Sequence, residues 1–147
     1  MTRDLFIGVT ELSKAGIHRR EDAFALFGAT RWRGAMYMAG YCIECLLKVK
    51  LMRIHGCSNL DDLEEQLKRR GLLAERATIF THELEILLRL ANGRDRLRQN
   101  GELWPVLNFV NLWIPAWRYN PDRSNQEDAR DYLGAVDSIR HWIDHNL

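Results

Sequence analysis

Apolar residues return at intervals of three and four along most of the chain, and no alternating run of useful length interrupts them. That period predicts helices and no sheet. A first helix is expected over 3–15, with Leu5, Val9 and Leu12 on one face. A second is expected over 19–28, carrying Ala23, Phe24 and Phe27. The third, over 31–55, is apolar around most of its circumference, through Trp32, Met36, Ala39, Ile43, Leu46 and Leu47, widened by Met38, Cys42, Cys45 and Val49. A helix of that kind is packed on several sides, and Gly56 closes it as a C-terminal glycine does.

Beyond Gly56, Ser58 or Asn59 is expected to cap a helix near 60–70, with Asp61 and Asp62 complementing its dipole. Thr81 caps one near 82–91 and Pro105 opens one over 102–113. Ser124 and Glu127 form a capping box ahead of a last helix over 125–145, whose inward stripe is Ala129, Tyr132, Leu133, Val136, Ile139 and Ile143. The expected fold is one all-α domain over 1–147, an antiparallel bundle of five to six helices.

Composition agrees with a packed domain. Of 147 residues, 46% are apolar and 28% charged, which excludes a disordered chain. The net charge of +1 creates no global field toward nucleic acid or membrane. Seventeen of the basic residues are arginine and four lysine, and guanidinium forks suit carboxylates and phosphates, so local patches matter more than the total. The cluster Arg89, Arg94, Arg96 and Arg98 reads as a solvated helix end. No stretch approaches the ~20 apolar residues of a membrane span, and the opening residues lack the apolar core of a signal peptide. With three cysteines, an odd number, these features predict a cytoplasmic protein with reduced thiols.

The polar residues of the central helix form a stripe. Arg33, Tyr37, Tyr41, Glu44 and Lys48 follow one another at spacings of four, four, three and four. Either Glu44 and Lys48 make an i,i+4 ion pair on a solvated face, or the stripe lines a cleft in which two phenols stand beside an acid and a base. Cys42, Cys45, His55 and Cys57 resemble a zinc set on paper. One helix, however, separates Cys45 from His55 by about 15 Å, whereas zinc ligands stand about 2.3 Å from the ion. No metal and no cofactor is expected. His141 and His145, one turn apart, have no evident third ligand.

The segment Tyr37-Met38-Ala39-Gly40-Tyr41-Cys42-Ile43-Glu44-Cys45-Leu46-Leu47-Lys48 resembles the central-helix signature of HEPN domains, A-G-Y-x-x-E-x-x-L-K. Thr81-His82-Glu83-Leu84-Glu85-Ile86-Leu87 is similar to that family's H-x-L-x-x-L helix start, and Trp117-Arg118-Tyr119 to its R-Y element. The three matches fall in family order. The resemblance implies an all-α bundle, commonly a homodimer, in prokaryotic toxin–antitoxin, defence or RNA-processing systems, often beside a small nucleotidyltransferase.

Catalytic members are metal-independent endoribonucleases with an R-x4–6-H motif, which Arg76 with His82 and Arg140 with His145 both fit. His82 also belongs to the H-x-L element found in members without ribonuclease activity. The leading expectation is therefore a non-catalytic HEPN-like module that binds a partner protein, nucleotide or RNA, its groove lined by Tyr37, Tyr41, Glu44, Lys48, His82, Arg118 and Tyr119. The alternative is an endoribonuclease in which Arg76 stabilises phosphorane charge and His82 moves the 2′-hydroxyl proton. A third reading is a purely structural bundle.

Overall fold

The computed structural model describes residues 7–112, 117, 119, 121, 122 and 124–147. Among these it contains seven helices and no strand: α1 (Val9–Gly28), α2 (Trp32–His55), α3 (Leu60–Arg69), α4 (Leu84–Leu90), α5 (Arg94–Arg98), α6 (Leu103–Val110) and α7 (Gln126–Asn146). None is long and apolar enough to cross a membrane.

The two helices expected over 3–15 and 19–28 are one continuous helix, α1, and residues 1–6 lie outside the described part. Gly16 does not interrupt it. That glycine is buried against α2, where a Cβ would stand 3.2 Å from Cβ of Cys45, so it marks a close approach of two helices. A short turn follows, with Thr30 in the left-handed region at φ 61°, and α2 then packs along α1 as a helical hairpin.

α2 is the centre of the bundle. α1, α3, α4 and α7 all pack on it, which accounts for its apolar character on nearly every side. Ala35, Met36, Ala39, Ile43, Leu47, Val49, Leu51 and Met52 are buried along it. Leu46, expected in the core stripe, is only half-buried. Leu47 takes the interior position. Gly56 ends α2 at φ 66°, and the Cys57 N–H returns to the Met52 carbonyl at 2.8 Å.

The later elements depart from expectation at their ends. Asn59, not Ser58, caps α3 by accepting from the Asp62 N–H at 2.8 Å. α4 begins at Leu84, two residues after the expected start, and the Thr81 hydroxyl accepts from the Glu83 N–H in the preceding turn instead of capping a helix. The arginine-rich segment forms the additional short helix α5, anchored by the fully buried Leu97. α6 stops at Val110, short of 113. Asn125 caps α7 through the Asp128 N–H at 2.8 Å. Ser124 stands at φ 60°, a backbone conformation unlike the extended one of an N-cap, so the Ser124–Glu127 box is replaced by Asn125 and Asp128.

α7 closes the bundle against α2 and α6. Tyr132, fully buried on it, donates to the Val110 carbonyl at 2.9 Å and meets the rings of Phe109 and Trp117 edge-on, each at 5.5 Å. These contacts hold Trp117 and the end of α6 against α7.

Candidate functional site

Glu44 and Lys48 are not a solvated pair. Their side chains are only 8% and 6% exposed, and Lys48 Nζ donates to Glu44 Oε2 at 3.2 Å within one turn of α2. Two opposite charges out of water are tolerable only when each has a close partner. The second oxygen of Glu44 finds one across the fold: Oε1 lies 2.5 Å from His82 Nδ1. A carboxylate oxygen accepts, so the imidazole presents its Nδ1–H, and the contact fixes the ring's tautomer.

The segment leading into α4 thus carries His82 onto the central helix across 38 positions of sequence. The imidazole is 43% exposed, so the network reaches from the interior to the surface. Tyr41 joins it from one turn earlier on α2. Its ring meets His82 edge-on at 6.0 Å and Tyr37 edge-on at 4.9 Å, and the Tyr37 hydroxyl donates to that of Tyr41 at 2.8 Å. Tyr37, Tyr41, Glu44, Lys48 and His82 therefore form one connected constellation.

A cleft of about 900 Å³ opens beside it, with lining residues from α1, α2 and the described residues ahead of α7. Tyr37, Tyr41, Glu44 and Cys45 line it, whereas Lys48 and His82, expected in the same groove, do not; Trp32, Met38 and Trp117 give apolar walls, and Arg19, Arg31 and Arg33 bring positive charge. Asp122 is the other carboxylate among the lining residues. Lys48 balances Glu44, Asp122 pairs with Arg33 at 3.5 Å and Asp22 with Arg19 at 3.0 Å, so the excess positive charge among the lining residues rests with Arg31. Burial pushes the Cys45 thiol up to about 11, so at neutral pH it contributes an uncharged wall. Arg19 and Arg31 were not among the sequence-selected residues. Arg19 lies on α1, and only the pairing of α1 with α2 brings it beside the tyrosines.

The remaining candidates lie apart. Arg76 stands exposed in the connection between α3 and α4. Tyr119 is exposed, and Arg118 is outside the described residues. Arg140 is held by Asp137 and Asp144 at 3.5 and 3.7 Å, while His145 Nδ1 lies 2.8 Å from the His141 carbonyl within α7. Cys42, Cys45 and Cys57 are free and buried. His55 is drawn toward Arg70, whose guanidinium stands 2.9 Å from Nδ1. Burial, and then that neighbouring charge, lower its pKa. No family model, curated protein or solved structure matches the chain.

Proposed function

We propose that this chain is a non-catalytic HEPN-like module of a prokaryotic toxin–antitoxin or defence system, and that its cleft binds a phosphate-bearing nucleotide, free or at the end of an RNA strand. One observation carries the reading: a cleft walled by aromatic rings and three arginines, with Glu44 of the Lys48–Glu44–His82 network in its lining. Flat rings suit a base, and guanidinium forks suit phosphate oxygens. Glu44, paired with Lys48, supplies a polar lining group without adding net charge.

The module works beside a partner, a nucleotidyltransferase in the family to which the chain bears resemblance, and as a homodimer. Leu112, exposed just past the end of α6, supports residual apolar surface there.

Calorimetric titration with ATP, AMP and a 5′-phosphorylated oligoadenylate tests the cleft. Saturable binding of at least one is expected, weakened about tenfold by Arg31→Ala, the loss of a charge-assisted contact. Absence of binding by all three overturns the reading. Total RNA incubated with the protein in EDTA should remain intact. Cleavage abolished by His82→Ala would move the assignment to the endoribonuclease alternative with Arg76 and His82.

A further inference from the structure

His141 and His145 stand outside the cleft, one turn apart on α7. Both are exposed, and their rings lie with centroids 4.0 Å apart and planes inclined at 33°. His145 Nδ1 is 2.8 Å from the His141 carbonyl. A carbonyl can only accept, so Nδ1 carries the proton, and in the neutral ring the lone pair is at Nε2. A backbone carbonyl on the far nitrogen is also what fixes the ring and tautomer of a metal-ligating histidine. Two imidazole nitrogens each about 2.0–2.1 Å from one ion stand about 3 Å from each other. Rings already 4.0 Å apart on one helix face reach that separation by small side-chain rotations.

The surrounding charges suit a cation. The pair occupies the last turns of α7, where unpaired carbonyls give the helix end a partial negative charge. Arg140, next to His141 in sequence, is already answered by Asp137 and Asp144 at 3.5 and 3.7 Å. Arg96 is turned to the Asn146 carbonyl and the Trp142 ring. The donor set then decides which cation. Imidazole suits copper, nickel and zinc, whereas magnesium and calcium take oxygen ligands. No group of three ligating side chains occurs among the described residues, so the remaining coordination positions go to water. Copper(II) accepts a tetragonal set of nitrogen and oxygen ligands and stands highest in the divalent order of affinity. We propose that His141 and His145 form a two-nitrogen chelate site for a divalent transition metal, copper(II) before zinc(II), separate from the cleft and independent of its ligand. An ion held by both rings clamps the final turns of α7 in helical form, because it binds only while the two histidines share a face.

Calorimetry of the full chain with copper(II), zinc(II) and magnesium chlorides, in a buffer that does not bind metals, tests it. One copper(II) per chain should bind, zinc(II) more weakly and magnesium not at all. His141→Ala and His145→Ala should each weaken copper(II) binding by at least about tenfold, since the second bond of a chelate forms intramolecularly. His18→Ala removes another exposed histidine, on α1, and should change nothing. Combining His145→Ala with Asn146→His keeps the number of histidines but turns the second ring off the shared face, and should not restore affinity. The electron paramagnetic resonance spectrum of the copper(II)-loaded protein should show two coupled nitrogens, and fewer in either alanine variant. The proposal is overturned if copper(II) does not bind, if zinc(II) or magnesium binds more tightly, or if either alanine variant binds like the wild type. It is equally overturned if His18→Ala abolishes binding or if the shifted pair restores it.

Discussion

Replacing Glu44 by glutamine keeps the shape of the side chain and removes its charge from the interior. At 3.2 Å and an effective dielectric of about 20, the attraction between Lys48 and Glu44 amounts to ~5 kcal/mol. Taking both ions out of water costs a comparable several kcal/mol, so the intact pair contributes little net stability. The balance fails when one partner is neutralised, because the Lys48 ammonium stays buried and faces only an amide. Glu44→Gln should therefore destabilise the fold by about 3–5 kcal/mol, whereas the double change Glu44→Met with Lys48→Met should cost clearly less than that single one. Urea unfolding followed by far-UV circular dichroism, with a common slope across variants, measures both. His82→Ala removes a side chain that is 43% exposed and should cost no more than about 1 kcal/mol. A loss below about 1 kcal/mol for Glu44→Gln, or a double variant as damaged as the two single changes together, would refute the argument that burial of a compensated pair governs this site.

Leu47→Ala, at a fully buried position, should cost about 2–5 kcal/mol, and Leu46→Ala markedly less. Equal losses in denaturant titrations would contradict the assigned rotation of α2. Tyr132→Phe leaves the buried Val110 carbonyl without its 2.9 Å donor and should lower stability by about 1–3 kcal/mol, read from thermal or urea melts. Glu64 links pH to stability: burial opposes its ionisation, but the Thr78 hydroxyl, the Ile79 N–H and Lys68 outweigh it and hold the pKa below the ordinary glutamate value. A depressed native pKa stabilises the fold above the unfolded value and loses that contribution as pH falls through the native one. Acid titration of stability should accordingly be shallower in Glu64→Gln, and an identical profile would remove the linkage. Light scattering at tens of micromolar should give the mass of a dimer, and a monomer there would remove the homodimer assignment.

The helices were readable where one strong local signal dominated. α2 combines an apolar pattern with a terminal glycine, and its bounds follow closely. Asn59, Asn125 and Ser124 show where local chemistry was ambiguous. Several residues near each helix start can accept a backbone N–H, and the backbone angles choose among them. Gly16 illustrates a different limit: the same residue type marks a break or a close helix contact, and only the partner helix distinguishes them. α5 was obscured because four arginines dominate its surroundings while a single leucine anchors it.

At the site, i,i+4 and i,i+3 spacings joined Tyr37, Tyr41, Glu44 and Lys48 without tertiary information. Burial of the ion pair was not legible, since it depends on how the other helices pack around α2. The resemblance placed His82 and Glu44 in one groove, and the two groups meet. The route differs, however, because His82 precedes α4 instead of standing in its first turn. Arg19 and Asp122 escaped notice for a common reason. Each reaches the cleft from an element distant in sequence from α2, and nothing in its own neighbourhood announces that placement.

The order in which the chain presents its helices has a kinetic consequence. α1 and α2 are neighbours joined by a short turn, so their hairpin closes a small loop and can form early. α7, which covers another side of α2, begins 71 residues after α2 ends and is complete 91 residues after it. At a synthesis rate of about 5–20 residues per second, α2 waits roughly 5–18 s for that cover after its last residue is made. During the interval, a nascent apolar surface is held in place only by its hairpin partner and whatever part of α3 and α4 has emerged. Aggregation during biogenesis should therefore be most sensitive to changes that weaken the α1–α2 hairpin, even where the completed fold tolerates them.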